Sequence, residues 1–374
     1  VKVLFIGGNG NISWWCVNET LKLGYEVSVL NRQETVSTRR DVHTGVTKIK
    51  ADIRNFEEAK SVLKNCEFDV VCDFIVRNDK DADNAYELFH NRVKQYFFIS
   101  SESVYQRTGN LLPLKETAPL YNLDEVRSDY VRGKVLAEIA FQNYCEKKNF
   151  PVTIVRPSYT YDTIIPSSIG GNCWTVIKFA KERSVFYIGG DGYALRTFTH
   201  SEDFARAFVH LVGNAAAIGQ DYHIASDDWL TWNEATEIIA DVFEIAHPKI
   251  IHLNPNYVLN SSFGKQEDLA RQKMYHLIYD CGKIKSVAKG WHADISLSDG
   301  LQRTKEWLEE RPAYKRVDKN LYSDLENLVS KGEKNVSRVC PVCGHSESET
   351  LYELCQNMAI MGGGFPSVKS RLQT

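Results

Sequence analysis

Short β-branched runs alternate with helical stretches over the first 160 residues of the chain. Val1–Ile6, Glu26–Leu30, Thr47–Ala51, Asp69–Phe74, Gln95–Ile99 and Val152–Arg156 read as strands. Trp14–Leu23, Phe56–Asn65, Asp81–His90 and Ser128–Lys147 read as helices, the first stopped by Gly24. This alternation predicts an α/β fold, a doubly wound parallel sheet with helices on both faces. Ligands then bind at the carboxyl ends of the strands, where the strand order reverses. Beyond about residue 160 the pattern loosens, with helices expected at Asn233–Phe243 and Ser298–Glu309 among Gly- and Pro-containing loops. We therefore expect four segments. They are a core over 1–160 to which later segments return, a smaller mixed α/β lobe over 161–312, a charged helix and linker over 313–335, and a short Cys-containing tail over 336–374. Leu321, Leu325 and Leu328 lie at helical spacing in the third of these, which reads as a solvated amphipathic helix.

The first strand runs into Gly7-Gly8-Asn9-Gly10-Asn11-Ile12-Ser13, spaced Gly-x-x-Gly-x-x-Ser. Glycine lets the backbone turn tightly and approach a pyrophosphate, and the helix behind it points free N–H groups at the anion. Glycine also serves ordinary tight turns, but here the turn closes the first strand of a βαβ pattern. The reading is a Rossmann-type core holding a dinucleotide on Gly7, Gly10, Asn11 and Ile12. The second strand ends in Leu30-Asn31-Arg32, without the carboxylate that would take a ribose 2′-hydroxyl. Arg32 suits a 2′-phosphate, so NADP is slightly favoured over NAD; the alternative is a solvent-facing Arg32 with Asn31 alone on the ribose. Asp52 and Ile53 are placed to meet the adenine, or else Asp52 simply ends a strand. Phe74, at the end of the fourth strand, is expected to join the cofactor site.

After the fifth strand comes Ser100-Ser101-Glu102-Ser103-Val104-Tyr105, and farther on a helix carries Tyr130-Val131-Arg132-Gly133-Lys134. Tyr130 and Lys134, four apart, share a helix face. A cationic Lys beside a phenol favours the phenolate and makes it a usable acid–base group near neutral pH. Ser101 suits a hydroxyl that bonds the reacting oxygen, and Glu102 is a further catalytic candidate or a structural residue.

With these residues in place, residues 1–310 resemble the extended short-chain dehydrogenase/reductase family, in its sugar-nucleotide epimerase/dehydratase branch. The resemblance rests on the glycine turn, Asp52-Ile53, Ser101–Tyr105, Tyr130 with Lys134, Arg156-Pro157-Ser158-Tyr159-Thr160-Tyr161 and Arg196-Thr197-Phe198-Thr199-His200-Ser201-Glu202-Asp203. It implies that Pro157 lies beside a nicotinamide and Lys134 on its ribose, and that the 161–312 lobe binds a nucleoside-diphosphate sugar. Ser101, Trp174, Arg196 and Lys273 are the expected substrate contacts, with Arg196 on the diphosphate. Asp73-Phe74-Ile75-Val76 stands where many epimerases carry His-Leu-Ala-Ala. Similar 4,6-dehydratases place Asp-Glu after the hydroxyl residue, and this chain has Glu102-Ser103, which favours a 4-epimerase or ketoreductase over a dehydratase. A dehydratase or ketoreductase is the alternative, and a non-catalytic dinucleotide-binding regulator a third reading.

Composition narrows the classes. Hydrophobic residues make up 43% and charged residues 25%, an ordinary soluble balance, and the net charge of −3 speaks against a basic nucleic-acid or membrane surface. No run approaches the roughly 18 apolar residues of a membrane span. Six of the nine Cys are scattered, which argues for a reducing, cytoplasmic setting rather than a disulfide framework. Cys340-Pro341-Val342-Cys343-Gly344-His345 forms a half-site for structural zinc, with Cys340 and Cys343 as ligands. A metal-free tail and a site completed by another chain are the alternatives. A homodimer is expected.

Overall fold

Strand and helix alternate through the amino-terminal half as β1 (Lys2–Ile6), α1 (Ser13–Lys22), β2 (Glu26–Asn31), β3 (Thr47–Lys50), α2 (Phe56–Leu63), β4 (Val70–Asp73), α3 (Asp79–Phe89), β5 (Gln95–Ile99), α4 (Asp129–Lys148) and β6 (Val152–Pro157). The computed structural model describes residues 1–32, 40–107, 112–169, 173–260 and 272–330. The chain continues with β7 (Tyr159–Tyr161), α5 (Cys173–Arg183), β8 (Val185–Gly189), β9 (Leu195–Arg196), β10 (Phe198–His200), α6 (Ser201–Phe208) and β11 (Asp221–Ile224). The remaining described strands and α-helices are β12 (Leu230–Thr231), α7 (Trp232–Val242), β13 (Lys249–Leu253), α8 (Pro255–Leu259), α9 (Gly282–Val287), α10 (Leu297–Glu310) and α11 (Lys319–Ser330). No described helix is long and apolar enough to cross a membrane.

Seven strands form one sheet in the order β11-β6-β5-β4-β1-β2-β3, and every pairing in it is parallel. Order reverses at β1, with β2 and β3 to one side and β4, β5 and β6 to the other. Alternate residues supply two cores, as the pleat requires. Val3, Phe5, Val27, Val29, Cys72 and Phe97 pack toward α1 and α6, with Val17, Phe204 and Phe208 in the same cluster. Leu4, Ile6, Leu30, Val71, Tyr96 and Phe98 pack toward α2, α3 and α4, joined by Leu63, Ala82, Ala85 and Phe141. Covering both faces explains why β4 and β5 are buried throughout and read as continuous apolar runs.

A third cluster belongs to the second lobe, where β8 pairs parallel with β13 and Val176, Phe186, Trp232, Ile239 and Trp307 are buried together. Leu321, Leu325 and Leu328 are part of this cluster. The segment expected as a solvated helix and linker therefore presents an apolar face to the lobe. Leu325 is only 1% exposed. Truncating such a side chain loses its transfer free energy and leaves a cavity. Leu325→Ala should lower stability by about 2–5 kcal/mol, read as a reduced urea midpoint. A change below about 0.5 kcal/mol, the size of ordinary surface effects, would restore the linker reading.

Candidate active site

Gly7 leaves β1 at φ +78°, where a side chain would be strained, and a Cβ there would meet Ile75 Cδ1 at 2.5 Å. Ser13, at the third position of the glycine pattern, does more than stay small. Its buried hydroxyl donates to Gly7 O and accepts from Gly10 N, both at 2.7 Å, and so closes the turn on itself. Asn11 Nδ2 ties the turn to Thr160 O at 3.1 Å and to Ser201 Oγ at 3.3 Å, which joins it to β7 and to the start of α6. Among the described residues, no side chain caps α1 at Ile12, and the buried Oδ1 atoms of Asn9 and Asn11 find no hydrogen-bond partner. A close backbone approach, an uncapped helix start and unsatisfied amides fit a dinucleotide pyrophosphate.

The second half of the site lies where β5 ends. Ser128 caps α4 by accepting from Val131 N, and Tyr130 and Lys134 follow on the helix's first turns. Lys134 is buried and its Nζ donates to Val76 O and Ile99 O, both at 2.7 Å. Burial lowers its pKa to about 8, with Asp73 and Glu138 opposing that shift. Gly133 permits this proximity, because a Cβ there would stand 2.3 Å from Arg77 O. Asp73 shapes the loop that supplies Val76. Its Oδ1 accepts from Ile75 N at 2.7 Å and its Oδ2 from Tyr96 Oη at 2.8 Å. Burial raises the Asp73 carboxyl to about 6 against those donors.

Tyr130 is 40% exposed, yet desolvation of its phenol raises the pKa. A hydrogen bond from Ser101 and the charge of Arg77 pull it down, and Glu102 pushes it up. The cation acting on the phenol here is thus Arg77, which the sequence pattern did not single out; Lys134 spends two of its three donors on carbonyls.

Glu102 and Arg196 come together in a way the pattern did not foresee. Arg196 Nη2 meets Glu102 Oε1 at 2.5 Å, and Tyr279 Oη donates to Glu102 Oε2 at 2.6 Å. Arg107 Nη2 donates to Glu102 O at 2.9 Å and to Gln272 Oε1 at 3.1 Å, and Arg196 Nη1 to Gln272 O at 3.2 Å. Arg196, 2% exposed, holds a protein carboxylate in this structure, and Glu102 is bound as a counter-ion. Arg107, Gln272 and Tyr279 are site residues that local motifs missed.

The remaining expected contacts are more dispersed. Asn31 ends β2 and Arg32 follows it, on the far side of β1 from Tyr130. Asp52 Oδ1 accepts from Arg54 N at 3.0 Å, closing a turn, and Ile53 packs against the core. Phe74 stacks on Phe5 with centroids 6.3 Å apart, and Pro157 ends β6 opposite Ile224. Trp174 packs edge-on against Phe243, with Lys315 above its ring. Lys273 Nζ donates to Ser167 O at 2.8 Å. Cys340 and Cys343 lie outside the described residues, and among those residues no His, Cys, Asp or Glu cluster could hold a metal.

His200 supports the turn from behind. Its Nδ1 accepts from Glu202 N at 3.2 Å and caps α6, next to the Ser201 that Asn11 touches. Burial depresses its pKa to about 4, against the pull of Asp162 and Asp203. The folded chain thus keeps His200 neutral while the unfolded chain protonates near 6.5. Its contribution to stability is full above about pH 6.5 and is lost as pH falls to about 4. Melting measured across that window should fall less steeply in His200→Asn, which can still cap the helix. An unchanged slope would show that His200 does not carry the acid sensitivity.

Comparison with known proteins shows the fold and the family. A chloroplast stem-loop binding protein of 41 kDa, form b, from Arabidopsis thaliana is 24% identical over 310 residues, covering 80% of this chain and 77% of that protein. The structure is similar to that of dTDP-glucose 4,6-dehydratase from Bacillus anthracis in complex with NAD. Its TM-score is 0.65 at 20% identity, over 84% of this chain and 98% of that one. It is also similar to UDP-glucuronic acid 4-epimerase from Bacillus cereus in complex with UDP-glucuronic acid and NAD, with a TM-score of 0.64 at 19% identity over 83% of this chain and 99% of that one. Residues 3–225, more than half of the 374, match the model of the NAD dependent epimerase/dehydratase family. The chain belongs to that family, and is an enzyme with the family's Rossmann-type sheet.

Proposed function

We propose that the chain is a sugar-nucleotide 4-epimerase in which Tyr130 is the acid–base group. The observation that carries this reading is the hydrogen bond between Ser101 and Tyr130, with Lys134 anchored on Ile99 O at the end of the strand that leads to Ser101. A bound dinucleotide would supply the hydride acceptor and, when oxidised, a positive charge near the phenol. Gly7, Gly10, Asn11 and Ile12 would hold its pyrophosphate, and Lys134 its nicotinamide ribose. Tyr130 Oη takes the proton of the sugar hydroxyl and later returns it. Ser101 Oγ donates to the same oxygen and steadies it in both directions.

Glu102 favours epimerisation over dehydration. Eliminating water needs a carboxyl free to give and take a proton, and Glu102 is bound by Arg196 and Tyr279. Tyr130→Phe should fold and bind NAD normally but lose about 100-fold or more in turnover. Turnover can be followed by NMR of the sugar after incubation with UDP-glucose, UDP-glucuronate or dTDP-glucose. Near-normal turnover in the variant would remove Tyr130 from the mechanism, and a 4-keto-6-deoxy product from the wild-type protein would make it a dehydratase.

We also infer a preference for NADP from Arg32, at an exposed β2 end without a carboxylate. Arg32→Ala should weaken NADP binding about tenfold or more, on the scale of a lost charge-assisted contact. NAD binding should barely change. Equal small effects in calorimetric titrations would leave NAD as the natural partner.

A further inference from the structure

Below the reacting residues sits a buried ion pair that no chemical step uses. Glu138 is fully buried and Arg156 is 2% exposed. Their carboxylate and guanidinium meet as a fork, Nε to Oε1 at 2.9 Å and Nη2 to Oε2 at 2.7 Å. Ser100 Oγ donates to the same Oε1 at 2.6 Å. Arg156 is held from behind by Tyr105 Oη at 2.9 Å and by Asp221 at 2.9 Å. One carboxylate therefore joins a helix to two strand tips.

The placement of this carboxylate gives it consequence. Tyr130, Lys134 and Glu138 recur every four residues and share one face of α4. Ser100 directly precedes Ser101, and its backbone N–H donates to Val155 O at 2.7 Å. Lys134 grips Ile99 O, and Glu138, one turn along, grips Ser100. Helix and strand tip are thus tied at two successive levels beside Ser101. A dry ion pair is a poor source of stability, since apolar side chains of similar volume often serve as well. Apolar side chains cannot supply its three directed bonds.

We propose that Glu138, braced by Arg156, is a positioning residue that acts through Ser100 to set the spacing between Ser101 and Tyr130. This rests on the acid–base reading of Tyr130. Misplacement by about 1 Å can cost about 100-fold in rate, so losing one of two ties should cost less.

The test uses the full chain as Ser100→Ala and Glu138→Gln, with Tyr130→Phe as reference. Ser100→Ala removes a single hydroxyl and keeps the ion pair, so it still decides the matter if Glu138→Gln fails to fold. In Ser100→Ala, kcat should fall about tenfold, while KM and the affinity for NAD stay within about twofold. The phenol titration assigned to Tyr130, by ultraviolet absorbance difference against Tyr130→Phe, should move upward as Ser101 draws away. A lower melting temperature with unchanged kcat and unchanged titration would make the network merely structural and overturn the proposal. The titration needs no substrate. If Tyr130→Phe stays active, the acid–base reading fails on its own while the shift still reports whether Ser100 sets the spacing.

Discussion

A parallel sheet delivers every strand's carboxyl end to one edge, and this site is assembled from what those ends carry. The register makes the ends level. Ile6 lies opposite Leu30 on one side and Asp73 on the other, Asp73 lies opposite Phe98, and Ile99 lies opposite Val155. The chain turns at Gly7, in the gap where strand order reverses, at a φ of +78° that strains any side chain. The same register puts Ser101 two residues past β5 and brings α4 across its tip. Two kinds of tie then hold the edge in shape. Asn11 links the glycine turn to β7 and α6, and Lys134 links α4 to the loop after β4 and to the end of β5.

Most of the sheet was legible because burial on both faces leaves an unmistakable pattern. Gln95–Ile99 has no polar face to blur it, and its bounds agree between sequence and structure. Where bounds differ, a local hydrogen bond explains it. The third helix begins at Asp79 rather than Asp81, because Asn78 accepts from Asp81 N and caps it two residues earlier. Leu321, Leu325 and Leu328 showed the right spacing but were set among charges, and nothing local says that another helix covers them.

The helix that carries the candidate pair was legible for a simple reason: Tyr130 and Lys134 are neighbours by helical geometry alone. Glu138 continues the same ladder, so a carboxylate at the eighth position was a readable signal that went unused. Arg107, Gln272 and Tyr279 offered no such signal. Gln272 reaches Ser103 O across 169 residues, and Tyr279 reaches Glu102 across 177. No periodicity records contacts of that span. Ser13 lies between these cases. Its place in the glycine pattern was visible, while its hydroxyl's closure of the turn needed coordinates.

The coupling of Glu102 to Arg196 changes how charge is distributed over the site. A carboxylate beside Tyr130 raises the phenol's pKa and would, if unpaired, oppose proton removal from a substrate hydroxyl. Arg196 meets that charge at 2.5 Å, while Arg77 acts on the phenol directly. An anionic substrate group that drew Arg196 away would expose Tyr130 to an uncompensated Glu102. Arg107, bonded to the backbone carbonyl of the same Glu102, is the guanidinium placed to share that charge. On the proposed reading, substrate anion and acid–base group are linked electrostatically through one carboxylate, and Glu102 would tune the proton transfer while held by Arg196 and Tyr279.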